Sequence, residues 1–135
     1  MLRVGFLASD FNPMVLMLGE AEDFRALGGV LRGFAREGAD VQLDTLAFCA
    51  PTRTRLVLSR AAGPAGIHPM PDGGFVWRIG AERAADFAAQ VETLADPGRA
   101  AGSEMLECST EDEIQVKASR GEYTDDFLLP ENRAA

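Results

Sequence analysis

Apolar residues recur along this chain at two spacings, and the spacings divide it into strands and helices. Leu2 to Ala8 is a short, mostly apolar run that reads as a buried strand. Asp10-Phe11-Asn12-Pro13 breaks it with turn chemistry. Met14 to Leu18 is a second apolar run whose brevity favours a strand paired with the first as a hairpin. From Ala21 to Arg36 the period changes: Phe24, Leu27, Val30, Leu31 and Phe34 form one apolar stripe of a helix. Glu22 and Asp23 fall in its first turn, where the helix dipole favours carboxylates, and Gly38 follows as a C-cap. Gly28, Gly29 and Gly33 each cost roughly 1 kcal/mol against alanine there. The stripe therefore carries the assignment.

Period two returns after Gly38. Val41 to Phe48 alternates weakly, and Arg53 to Ser59 places Leu56 and Leu58 on one side. Ala61 to Gly74 holds four glycines and three prolines and reads as a long loop. Phe75, Trp77 and Ile79 alternate with Val76 and Arg78 as a strand. Ala81 to Ala95 is the clearest helix, with Ala84, Phe87, Ala88, Val91, Leu94 and Ala95 on one face and Pro97-Gly98 ending it. Glu104 to Cys108 and Ile114 to Ala118 read as a hairpin turned by residues 109–113, with Ile114, Val116 and Ala118 facing inward. Beyond Gly121 the chain reads as an acidic tail docked by Tyr123, Phe127 and Leu128. No internal repeat is visible.

This order is not the regular alternation of a doubly wound parallel sheet, and short connections favour antiparallel pairing. The expected fold is a single α+β domain over residues 1–135. A mostly antiparallel sheet of five to seven strands would carry two amphipathic helices on one face.

Composition changes that picture little. At 135 residues the chain is long enough to bury a core without metal or disulfide help. Twelve arginines stand against one lysine, Lys117, beside abundant alanine, a bias that suggests a GC-rich bacterial genome. The start, Met1-Leu2-Arg3-Val4-Gly5-Phe6, has no signal-peptide pattern, and no run approaches the ~20 apolar residues of a membrane span. Cys49 and Cys108 form no CxxC motif and read as reduced, buried thiols of a cytoplasmic protein.

Charge changes it more. Residues 101–135 carry nine carboxylates against Lys117, Arg120 and Arg133, so most of the net charge of −8 lies there. That balance disfavours nucleic acid and anionic membranes as partners, and Arg53-Thr54-Arg55 near Arg60 does not reverse it. Glu111-Asp112-Glu113 reads as a solvated turn that also protects a sheet edge. Glu122, Asp125 and Asp126 surround Tyr123, an interface composition with an aromatic anchor and steering charges. On the first helix Arg25, Arg32 and Arg36 fall on the side away from Phe24, Leu27 and Phe34. That basic stripe could dock carboxylates of a second copy, with Gly29 and Gly33 allowing close approach.

Candidate chemistry is sparse. There is no Walker, dinucleotide, HExxH or GxSxG signature, no metal-ligand spacing, and no implied cofactor. His68, in a Pro-rich stretch, is the one histidine, and Asp40 with Asp44 or Glu104 with Glu107 are carboxylate pairs that nothing places across a cleft. The leading expectation is a non-enzymatic protein–protein interaction module. By charge and size alone it would be an inhibitor or immunity-type binder of a basic protein, with a homodimer as a further expectation. The residues expected to bind the partner are Glu111, Asp112, Glu113, Glu122, Tyr123, Asp125 and Asp126, and those for self-association are Arg25, Arg32 and Arg36. The alternatives are a small-molecule binding module with a pocket near Trp77, His68 and the 61–74 loop, and a small carboxylate- or His68-dependent enzyme.

Overall fold

A computed structural model describes residues 1–8, 12–123 and 128. The chain runs β1 (Arg3–Leu7), β2 (Met14–Leu18), α1 (Ala21–Glu37), β3 (Val41–Gln42), a 3-10 turn (Leu43–Thr45), β4 (Leu56–Ser59), β5 (Gly66–Pro69), β6 (Phe75–Arg78), α2 (Ala81–Leu94), β7 (Gly102–Met105) and β8 (Gln115–Arg120). The fold is α+β in a single compact domain, as the sequence leads one to expect. The sheet differs: eight strands form two four-stranded mixed sheets, ordered β1-β2-β8-β7 and β3-β4-β6-β5. The first two strands do form the antiparallel hairpin. Its partner on the inner side is β8, and β2 and β8 run parallel, as do β4 and β6. Strands consecutive in the chain do pair antiparallel, β1 with β2, β3 with β4, β5 with β6 and β7 with β8, while the central pair of each sheet is parallel and joins strands that are not consecutive.

Both helices begin and end within a residue of the periodicity-based bounds, because an apolar stripe fixes them. Phe24, Leu27, Leu31 and Phe34 of α1 and Ala84, Phe87, Ala88, Val91 and Leu94 of α2 are almost wholly buried. Each large aliphatic or aromatic side chain so buried contributes roughly 1.5–3 kcal/mol. Gly38 closes α1 in the left-handed conformation (φ 72°), its N–H donating to Phe34 O. The weakly alternating Val41–Phe48 is not one strand: β3 covers two residues before the chain turns. The expected loop over 61–74 contains β5, whose Ile67 is fully buried and pairs with Trp77.

The topology maps onto itself when the two halves of the chain are exchanged. Each half runs strand, strand, helix, strand, strand, and each sheet takes one hairpin from each half. The equivalence holds at a spacing of sixty residues. Ile79 N–H donates to Ser59 O, and Gly19 N–H donates to Ser119 O. The buried helix positions 24, 27, 28, 31 and 34 recur as 84, 87, 88, 91 and 94. Arg60 and Arg120, also sixty apart, follow β4 and end β8, and each guanidinium donates to carbonyls at the end of one helix. Arg60 reaches Phe34 O at 3.1 Å and Ala35 O; Arg120 reaches Leu94 O at 3.1 Å and Asp96 O at 3.2 Å. A bridge between Ile67 of β5 and Ile114 just before β8 joins the sheets over one shared core, and a second, Leu2 with Cys49, ties the start of β1 to the segment before β4.

Candidate functional site

Where the halves differ is as informative as where they agree. At the start of α1 the chain supplies its own carboxylates. Asp23, 4% exposed, accepts the Glu20 N–H at 2.8 Å and lies 3.5 Å from the amino group of Met1. Glu20 and Asp23 together form a capping box over the free N–H groups of the first turn. Sixty residues on, α2 starts at Gly80, which has no side chain and makes no cap. A Cβ built there meets nothing within 4 Å. Leu18 becomes Arg78, Glu20 becomes Gly80 and Asp23 becomes Arg83, so two carboxylates are lost and two guanidiniums gained.

A cavity of about 390 Å³ lies at this second helix start, lined by Ser59, Arg60, Ala61, Ala62, Gly63, Ala65, Arg78, Ile79 and Gly80. That volume falls in the usual range of small-molecule sites. Among the described residues the Arg78 side chain makes no hydrogen bond or ion pair, and its Nε, like Arg120 Nε and Trp77 Nε1, is buried without a partner; Arg120 differs in that its Nη1 is bonded to three carbonyls. Gly63 (φ 146°) covers that side chain so closely that a Cβ would sit 2.7 Å from Nε. An unsatisfied, charged donor of this kind is costly unless something accepts from it. The other two arginines are occupied: Arg60 on the carbonyl end of α1, and Arg83 on Glu107 O at 3.3 Å.

A second cavity, about 180 Å³, lies between Asp44, Arg55, Asp72 and Phe75. Its charges already answer one another: Arg55 donates to Asp72 O at 2.6 Å, and Asp44 accepts the Leu56 N–H at 2.9 Å. Asp44 is therefore a fold-maintaining acceptor.

The residues singled out from sequence are dispersed. Glu111 and Asp112 are exposed on the 109–113 turn, which uses positive φ at Ser109 and Asp112. Glu113 points back and accepts N–H bonds from Cys108 at 2.9 Å and Thr110 at 3.3 Å. Glu122 accepts from the Ser103 hydroxyl. Tyr123 is half-buried, its hydroxyl 2.5 Å from Lys117 Nζ and its ring 4.7 Å beneath that ammonium. Asp125 and Asp126 lie outside the described residues, as does Phe127.

Arg25, Arg32 and Arg36 are all exposed on α1. Two of them reach α2: Arg25 donates to Ala95 O at 3.4 Å, and Arg32 Nε donates to Glu92 at 2.8 Å. The bond to Arg32 holds the Glu92 carboxyl below its ordinary pKa. Arg32 and Glu92 occupy equivalent positions of the two halves, so they meet as residues do at a two-fold axis.

Trp77 is fully buried, stacked on Phe87 at 5.7 Å, and does not line the cavity. His68 is half-buried on β5 with Nε2 2.8 Å from Ala65 O, a backbone partner. Cys49 and Cys108 are free thiols, each pushed up to about 11 chiefly by burial, and so protonated at neutral pH. No group of three or more His, Cys, Asp or Glu among the described residues is placed to hold a metal ion. No described helix is long and apolar enough to cross a membrane.

Sequence reading missed Arg78 and Gly80. Two signals existed: a lone arginine on an otherwise apolar strand, and a glycine where a helix normally takes a capping side chain. No known protein family matches the chain, and no curated protein or solved structure is similar to it.

Proposed function

We propose that this protein is a binding module for a small anionic molecule, held in the cavity between the 61–65 loop, the end of β6 and the start of α2. The observation that carries the reading is Arg78, a half-buried guanidinium with a buried, unpartnered Nε on the wall of that cavity. The uncapped first turn of α2 adds the positive end of a helix dipole at the same place. A chain of net charge −8 that concentrates positive potential at one cavity has a reason to attract an anion there. Docking of a basic protein on the acidic third draws less support, because Glu113, Glu122 and Tyr123 already serve partners within the chain.

The test is thermal unfolding of the full chain with a panel of small organic and inorganic anions beside neutral and cationic compounds of similar size. At a hundred times its dissociation constant a ligand stabilises by about 2.7 kcal/mol, a shift on the order of 10 °C here. Anions should produce that shift in the wild type and none in Arg78→Met. Equal shifts in both proteins, or shifts from neutral compounds alone, would overturn the reading.

A further inference from the structure

We infer that the anion is a monocarboxylate with a short apolar body, an inference that rests on the binding role proposed above. The first half of the molecule shows what an occupied site of this kind contains. There the carboxylate of Asp23 sits buried on the start of α1 and accepts a backbone N–H at 2.8 Å. At the equivalent place in the second half, the carboxylate-bearing residues are replaced by Gly80 and Arg83, the position before the turn by Arg78, and a cavity stands open. A ligand carboxylate entering it takes the role that Asp23 plays at the other helix and pairs with the accessible terminal nitrogens of Arg78.

Arg60 uses one guanidinium nitrogen on the carbonyl end of α1 and keeps its full charge, so with Arg78 and the helix start the cavity attracts anions without selecting their charge. What selects a carboxylate is the parallel with Asp23 and the wall of the cavity. Of the remaining wall, Ala61, Ala62, Ala65 and Ile79 offer methyl groups, and the Ser59 hydroxyl already accepts the Ala61 N–H, which suits an aliphatic body.

Isothermal titration of the full chain with butyrate, butyramide and inorganic phosphate tests this. Butyrate should saturate and bind at least about tenfold more tightly than either comparator, since a charge-assisted pair is lost in the amide. Gly80→Asp, which places a carboxylate in the open space at the helix start, should abolish butyrate binding while raising the melting temperature. Arg78→Met should abolish it without that rise. Phosphate binding as tightly as butyrate would overturn the carboxylate class and leave the anion site standing. No binding by any of the three would end both readings. Butyrate binding unchanged in a folded Gly80→Asp protein would place the ligand elsewhere and overturn the inference.

Discussion

The two helix starts show how single residues assign a structural role to one site and leave another open. Asp23 closes α1 from within, so Asp23→Ala should cost about 1–2 kcal/mol in urea unfolding. A smaller loss would mean that Met1 and water replace the cap. The thiols make a second residue-scale case. Burial pushes Cys49 and Cys108 up to about 11, with Asp44 beside the first and Glu113 beside the second adding to the shift. An unfolded thiol ionises near 9.0. Between about pH 9 and pH 11 the unfolded chain therefore releases protons that the folded chain retains, and stability falls with rising pH across that window. Urea unfolding at pH 7.5 and 10.5 should show a larger fall in the wild type than in a Cys49→Ala, Cys108→Ala double variant. Equal falls would refute the thiol contribution. Trp77 is the residue whose burial sequence did allow one to anticipate: alternation put it with Phe75 and Ile79, and it packs on Phe87 as core.

At the scale of elements, legibility followed the strength of the apolar pattern. The stripes of α1 and α2 span three or more turns, and no alternative conformation buries them as well. β5 was hidden because Gly66, Pro69 and the surrounding glycines carry loop composition, while its place in the sheet comes from Ile67 and from pairing with β6. Long-range pairing does that, and no local window contains it. The same limit hid the anion cavity, whose wall joins the end of one strand, a loop and a helix start. The glycines of α1 divide by surroundings. A Cβ on Gly28 would lie 2.8 Å from Glu92 Cγ, whereas Gly29 has nothing within 4 Å and Gly33 only Arg36 at 3.9 Å. Gly29→Ala with Gly33→Ala should therefore stabilise the protein, by roughly 1–2 kcal/mol together. Self-association through a close approach at these glycines predicts the opposite, a weakened dimer in analytical ultracentrifugation. Stabilisation without change of mass would remove that interface.

The whole molecule is a doubled unit in which each sheet needs strands from both halves. Sequence comparison of the halves at this spacing shows seven identities: Ala21 and Ala81, Glu22 and Glu82, Ala35 and Ala95, Gly38 and Gly98, Leu46 and Leu106, Ser59 and Ser119, Arg60 and Arg120. Burial pattern and hydrogen bonding preserve what residue identity does not. Since β2 pairs with β8 and β4 with β6, fragments 1–62 and 63–135 should each remain unfolded alone and recover native circular dichroism when mixed. Two fragments that fold independently would contradict this account of the topology. Doubling also explains why only one helix start is open: the equivalent site already holds its carboxylate. The direct test is nuclear magnetic resonance of the Arg78 Nε–H signal, with the amides of Ala81, Glu82 and Arg83, during titration with butyrate. The account predicts that these four signals shift together and saturate as the guanidinium beside them gains an acceptor. An Arg78 Nε–H signal that stays fixed while other regions respond, or while nothing responds, would contradict it.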